Sequence, residues 1–341
     1  ATPRILHESL AAWMGILFVI YALPLLSLAF VVWAVASRNL PDGPRRLTMV
    51  ATILLACGVW TLVRTSGLTA TGSEFAWRWS ETPEERLLAR AGDEPGAMRT
   101  APVSPQREAN WPGFRGPERN GVIHDVRIET DWAASAPIEL WRRPIGPGWS
   151  SFAVRGDLLY TQEQRGDDEV VACYDATTGE PVWRHRDATR FWESAAGAGP
   201  RATPSLGDAR VYTLGATGIL NVLDSGDGAV VWSRNVASDT GVEVPIWGFS
   251  GSPLVVDDLV VVAAGGRLAG YDRATGDRRW LGPPGSESYS SPHLLTIDGV
   301  EQVLLLDGAG VTSVAPEDGT VLWKYSWKFA AIVQPARTAD G

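Results

Sequence analysis

CYDATTGEPVW, residues 173–183, decides the fold, because the chain writes nearly the same phrase three more times. It returns as VLDSGDGAVVW at 222–232, as GYDRATGDRRW at 270–280 and, more loosely, as SVAPEDGTVLW at 313–323. The closing tryptophans Trp183, Trp232, Trp280 and Trp323 stand 49, 48 and 43 residues apart, and Trp141 in ELWRRPIG precedes the first by 42. A repeat period of about 40–50 residues signals an array of supersecondary units, here with the length of a four-stranded propeller blade. In each phrase an Asp, or a turn residue in its place, can bond nearby backbone amides. Gly179, Gly228, Gly276 and Gly319 can take the positive φ of a tight hairpin. The Trp that follows falls on the outer strand, where its flat ring can cover the seam to the next blade.

Around the second phrase the chain reads as four short strand-forming runs, ATPSL, ARVYTLG, GILNVLD and AVVWSRNV, separated by Gly- and Asp-bearing turns. The same pattern recurs, so the predicted fold class is all-β. It is a β-propeller of four-stranded antiparallel blades, with complete blades at about 150–186, 202–236, 251–281 and 290–326. IELWRRP (138–144) reads as an outer strand without a blade of its own, and QPARTADG (334–341) as the first strand and turn of a fifth blade. In a ring of seven or eight blades, such an outer strand completes the last blade and removes the exposed edge. With Ala1 in place of an initiator Met and a turn sequence at its end, the chain reads as a piece of a longer protein.

Ahead of the repeats, AAWMGILFVIYALPLLSLAFVVWAVA (11–36) carries no charge. As a helix it would extend about 39 Å, enough to cross a hydrocarbon core of about 30 Å. LTMVATILLACGVWTLV (47–63) is a second, shorter candidate, so residues 1–70 are read as a transmembrane region. Arg38, Arg45 and Arg46 put the loop between the two runs in the cytoplasm by the positive-inside tendency. The expected protein therefore sits in the inner membrane with its propeller on the periplasmic or extracytoplasmic side. Residues 71–109 read as a short juxtamembrane helix, begun by Thr82-Pro83-Glu84-Glu85, and an Ala-, Pro- and Gly-rich linker. Trp77 and Trp79 suit an interfacial anchor, and the propeller takes residues 110–341.

The net charge of −9 in 341 residues excludes nucleic acid as the main partner, because binding phosphates needs a concentrated basic surface. Cys57 and Cys173 lie in separate runs, so there is no disulfide framework and no cysteine metal site. His7, His124, His185 and His293 lack metal-ligand spacing, and DSGDG (224–228) lacks the remaining ligands of a calcium loop. GFSGS (248–252) is not a nucleophile elbow. No metal site is expected from these residues.

In a blade whose strands run from axis to rim, the loops entering each inner strand share one face of the propeller. The longest are 187–201, 237–250 and 282–289, which bring Glu193, Arg201, Trp247 and Tyr289 toward the axis, while Thr203 and Ser252 begin inner strands. Charged and aromatic groups at a channel mouth make a candidate ligand site. The same groups can instead satisfy one another and fill the channel.

The phrase A-x-D-x-x-T-G-x-x-x-W resembles the tryptophan-docking repeat of pyrroloquinoline-quinone (PQQ) type propellers over about residues 110–341. NWPGFRGPERNGV (110–122), GPRATPSLGDARVYTLGATG (199–218) and YSSP (289–292) are also similar to a membrane-anchored bacterial branch of PQQ-binding-like or outer-membrane-assembly-like proteins. The resemblance implies two functions of different kinds. One is a scaffold without a cofactor, presenting a face or edge to envelope proteins or to a small-molecule ligand. The other is a PQQ-dependent membrane dehydrogenase oxidising an alcohol or sugar, with PQQ, a Ca²⁺, an Asp base and Arg residues above a Trp floor. Trp247, Arg201 and Glu193 are right in kind for the second, whereas the Ca²⁺ ligands and the base have no positional match. A ligand-sensing domain is a third reading. The scaffold is the expectation.

Overall fold

The computed structural model describes residues 7–10, 12–69, 72–90, 95, 109–124, 126–327 and 332–335. Nearly all of the expected linker and most of QPARTADG lie outside the described residues. By its contacts the chain divides into two units, Ala1–Thr82 with Trp192–Gly197, and Pro83–Phe191 with Ala198–Gly341.

The second unit contains four four-stranded antiparallel sheets, each with its strands in sequence order, as propeller blades have. The first comprises Ala153–Arg155, Leu158–Arg165, Asp168–Asp175 and Pro181–Asp187, the second Ser205–Gly207, Arg210–Leu214, Ile219–Asp224 and Val230–Asn235. The third comprises Leu254–Val256, Leu259–Ala264, Arg267–Asp272 and Arg278–Leu281, the fourth His293–Ile297, Val300–Asp307, Gly310–Val314 and Val321–Ser326. The first strands of successive sheets are neighbours. Because side chains alternate across a strand, each middle strand feeds two different seams. Val260 and Val262 pack toward the second sheet with Tyr212 and Leu214, while Val261 joins Val303 and Leu305 toward the fourth.

The repeated phrase explains how the sheets lock together. Asp175 Oδ1 accepts the N–H groups of Thr177 (2.9 Å) and Thr178 (2.8 Å), which turns the chain into the fourth strand. The Thr178 amide, foremost among these donors, draws the Asp175 carboxyl below its usual range. In every sheet the register slips by one residue just before the Trp, leaving Val182, Val231, Arg279 and Leu322 without a partner on the third strand. A bulge of this kind re-aims the residue that follows it. The Trp residues of the first three sheets, and Trp141 ahead of them, then reach forward to the next phrase. Trp141 Nε1 donates to Ala176 O, Trp183 to Ser225 O, Trp232 to Arg273 O and Trp280 to Pro316 O, at 2.9–3.1 Å. Each acceptor stands three residues before the phrase glycine, and the ring lies where a side chain at that glycine would be. A Cβ on Gly276, whose φ is +75°, would come within 2.6 Å of the Trp232 ring. Glycine is therefore required there on two counts, left-handed backbone and ring contact. Trp141 belongs to an extended segment outside any sheet, and it serves Gly179 in the same way.

The first unit holds the apolar helix Ala12–Ala36, a second helix Asp42–Gly58 and a hairpin of Val63–Thr69 with Gly72–Trp77. Among the described residues one helix, over Phe18–Ala36, is long and apolar enough to cross a membrane. The second expected span, about 47–63, takes a different form. Pro41, with φ of −60°, starts the helix five residues before the apolar run, so that Asp42, Arg45 and Arg46 become helical. The helix ends at Gly58, a 3-10 turn covers Val59–Thr61, and the chain is extended from Val63. The hairpin was not expected from the sequence, although Val63, Thr65, Phe75 and Trp77 all favour strands. The short helix forms at Pro83–Leu88, and its contacts are those of the second unit. Glu84 Oε1 accepts from Gly166 N–H at 2.8 Å and from Arg190 Nη1 at 2.9 Å.

Candidate functional site

The inner layer of the sheets is held by a chain of hydroxyls. Ser151 N–H donates to Thr203 Oγ1 (3.0 Å), Thr203 N–H to Ser252 Oγ (2.9 Å), and Ser252 N–H to Ser291 Oγ (2.9 Å). All four residues stand two positions before the first strand of their sheet. Pro204, Pro253 and Pro292 follow three of them and hold the preceding residue extended, which presents its hydroxyl to the sheet before. Thr203 and Ser252, expected at a ligand site, are buried in these seam bonds. The recurring Ser/Thr-Pro pair was the available signal.

Against the first strands lies a strap of the chain's own, Asn110–Asn120. Trp111 and Val154 exchange backbone hydrogen bonds of 3.1 and 2.7 Å, and Leu206 N–H donates to Pro112 O at 2.7 Å. Arg119 donates to Pro253 O (3.0 Å) and Ser252 O (3.1 Å). Gly113 permits the approach, since a Cβ there would lie 3.1 Å from Ser205 Oγ. At the fourth sheet His293 receives Gln334 Nε2 on Nδ1. Burial first, then the charges of Arg119 and Arg115, push His293 down to about 4, so it is neutral at pH 7. One strap thus bonds at or just before the first strands of the first three sheets, and the charges of its arginines reach His293 on the fourth.

The remaining candidates lie on the loops 187–201, 237–250 and 282–289. Trp247 and Tyr289 come together with ring centroids 4.7 Å apart, and Tyr289 O also accepts from Ser250 Oγ at 3.0 Å. Arg201 donates to Gly199 O (2.8 Å) and Ala198 O (3.3 Å), with its Cζ 5.1 Å over the Phe191 ring. Glu193, in the first unit by its contacts, accepts the N–H groups of Ala195 (2.7 Å) and Ala196 (2.6 Å). Arg201 and Glu193 therefore each brace their own loop.

A polar cluster in the seam between the first two sheets escaped the sequence reading. Asp187 accepts from Asn221 Nδ2 at 2.7 Å and faces His185 Nε2 at 3.2 Å. Glu169, 4% exposed, takes the Ala216 N–H on Oε1 at 3.1 Å, while its Oε2 has no hydrogen-bond partner among the described residues. Burial foremost, with the Asp187 charge adding to it and the Ala216 N–H and Arg201 opposing it, raises Glu169 to about 7. Counted back from the residue paired with each Trp, the other repeats have Gly218, Gly266 and Ala309 at this position. A carboxylate among small residues was the signal.

PQQ with Ca²⁺ would need a free aromatic face, a guanidinium turned to the quinone oxygens and a convergent set of cation ligands. Here Trp247 is engaged by Tyr289, and Arg201 is bonded to its own loop. Among the described residues no three His, Cys, Asp or Glu side chains converge to hold a metal ion. The residues as placed do not fit that cofactor.

The family model described as outer membrane protein assembly factor BamB matches residues 133–241 and 167–334. Among solved structures, the quinohemoprotein alcohol dehydrogenase from Comamonas testosteroni is 16% identical, over 74% of this chain and 47% of that one, with a TM-score of 0.49. The quinohemoprotein alcohol dehydrogenase ADHIIG from Pseudomonas putida HK5 is 16% identical over 55% and 35%, with a TM-score of 0.41. BamB from Moraxella catarrhalis is 23% identical over 52% and 60%, with a TM-score of 0.34. The chain thus spans less than two thirds of the length of each of these proteins. No curated protein matches it. The matched region takes in more than half of the chain and all four repeats, and the chain belongs to the PQQ-like repeat family described as outer membrane protein assembly factor BamB.

Proposed function

We propose that this protein is a membrane-anchored, extracytoplasmic PQQ-like propeller that serves as a protein- or ligand-binding scaffold in the bacterial envelope. The observation that carries this reading is the Asn110–Asn120 strap, which bonds at or just before the first strands of three of the four sheets with the chain's own residues. The inner hydroxyls are likewise spent on seam bonds. What is left for recognition is the outer surface and the sheet edges. The outermost strand Val321–Ser326 is exposed along its length, Tyr325 most of all, and in a ring of seven or eight blades it would receive the next blade. We read the anchor as a helical hairpin in which Ala12–Ala36 crosses the membrane and the shorter helix Asp42–Gly58, continued by the 3-10 turn Val59–Thr61, returns the chain. Large apolar side chains face outward on both, Val31 and Val35 from the first, Leu47, Leu54 and Leu55 from the second. Arg38, Arg45 and Arg46 keep the connecting loop cytoplasmic.

Calorimetry of the full-length protein with PQQ and Ca²⁺ tests the reading. The expected result is weak binding or none. A submicromolar Kd, about −8 kcal/mol or better, together with dye-linked oxidation of an alcohol or sugar, would replace the scaffold with the dehydrogenase alternative. In that event Arg201→Ala and Trp247→Ala should each weaken binding.

A further inference from the structure

At the loop end of the helical hairpin the two helices leave a groove of about 390 Å³, within the range of about 300–1,000 Å³ common for small-molecule sites. Its walls are apolar, formed by Ala29, Val32, Ala36 and Leu40. Its loop end is polar and cationic. Trp33 Nε1 donates to Thr48 Oγ1 at 3.1 Å, Thr48 Oγ1 donates to Arg45 O at 3.0 Å, and Arg45 Cζ sits 5.6 Å over the Trp33 ring. The stacking holds the Arg45 guanidinium at the groove mouth. Ser37 lines the same groove, 2% exposed, and its hydroxyl makes no hydrogen bond among the described residues; Arg45 Nε is also buried without a partner. Across residues 37–48 there are three arginines, Arg38, Arg45 and Arg46, against one acid, Asp42.

We propose that this groove binds one acyl chain of an anionic phospholipid, with the lipid phosphate at Ser37 and Arg45. The inference rests on the reading of the two helices as a membrane anchor. An apolar groove left empty forfeits dispersion contacts along its walls, and an acyl chain restores them. A buried donor without an acceptor is costly, and phosphate oxygens supply acceptors in charge-assisted form. The excess of arginine selects an anionic over a zwitterionic headgroup, since each basic residue near the membrane surface favours anionic lipid.

The test uses the full chain. Alkaline carbonate extraction of membranes first establishes whether the protein is integral. Purified protein is then exchanged into phosphatidylglycerol or phosphatidylcholine of identical chains, and retained lipid is counted by native mass spectrometry. We expect phosphatidylglycerol to be retained about fivefold better. Arg45→Gln should abolish that preference, and Ala29→Phe, which fills the groove wall, should lower retention of both lipids. Glycerol phosphate, a headgroup without a chain, should not compete. Integral protein that retains both lipids equally would overturn the inference and leave the anchor standing. Integral protein whose retention is unchanged in both variants would do the same. Displacement by glycerol phosphate would mean an anion site with no acyl-chain groove, again overturning it. Release by carbonate would overturn the anchor reading itself, and the inference with it.

Discussion

Trp232 and Trp323 hold the same place in the repeated phrase, yet their surroundings differ. Trp232 is 7% exposed and its indole reaches Arg273 O in the following sheet, whereas Trp323 is 37% exposed and bonds Gln302 within its own sheet. Trp232→Ala should therefore cost about 3–5 kcal/mol, the usual range for a buried large aromatic. Trp323→Ala should cost less than about 1 kcal/mol. Urea unfolding of the detergent-solubilised chain, followed by the sheet signal in circular dichroism, compares the two. Equal losses would remove the seam as the source of the energy. Glu169 supplies a prediction in pH. Its carboxyl is raised from the ordinary 4.5 to about 7, so the folded state holds the proton more tightly than the unfolded chain. The stability it contributes is present below about pH 4.5 and is lost as pH rises through about 7. Glu169→Gln should accordingly raise the unfolding free energy at pH 8 by on the order of 1–3 kcal/mol and change little at pH 4. A gain of the same size at both pH values would assign the effect to packing.

At the scale of elements, the strap acts like an extra layer laid on the inner strands, and Arg119 is its attachment to the third sheet. Arg119→Ala leaves the Ser252 carbonyl without this partner and should destabilise the second unit by about 2–3 kcal/mol, the range for losing hydrogen bonds from a charged donor. The same change relieves part of the positive field on His293. Since burial is the larger cause, its pKa should rise from about 4 only part of the way toward 6.5, which NMR titration of the ring protons measures. A His buried neutral contributes stability above its unfolded pKa that is lost as pH falls through its folded value. The acid-side loss of stability that His293 causes should therefore be smaller in the variant and should level off at a higher pH. A His293 pKa unchanged by Arg119→Ala would mean that the strap does not control this histidine.

For the molecule as a whole, the proposed topology places residues 64–341 outside the cytoplasm. Reporter fusions after Gly67 should give active alkaline phosphatase and an inactive cytoplasmic reporter. The opposite pair of activities would reverse the orientation drawn from Arg38, Arg45 and Arg46. What the amino-acid sequence by itself determined is the repeat: where the turns fall, which strands group into a sheet, and which glycines close the hairpins. These are short-range consequences of Asp and Gly chemistry and of a two-residue strand period, written into every phrase. The apolar helix Ala12–Ala36 was equally legible, as an uncharged run long enough to cross a bilayer. The bulge before each Trp, the strap across the inner strands of three sheets, and the bond from Thr203 to Ser252 emerged only in the tertiary structure. Each depends on which backbone groups of distant segments arrive opposite one another, and residue type states what a side chain can donate or accept without naming its partner. Thr203 and Ser252 are hydroxyls at a channel mouth in one dimension and seam bonds in three. Glu169 is one acid among many until burial among Gly215, Ala216 and its neighbours makes its proton hard to remove.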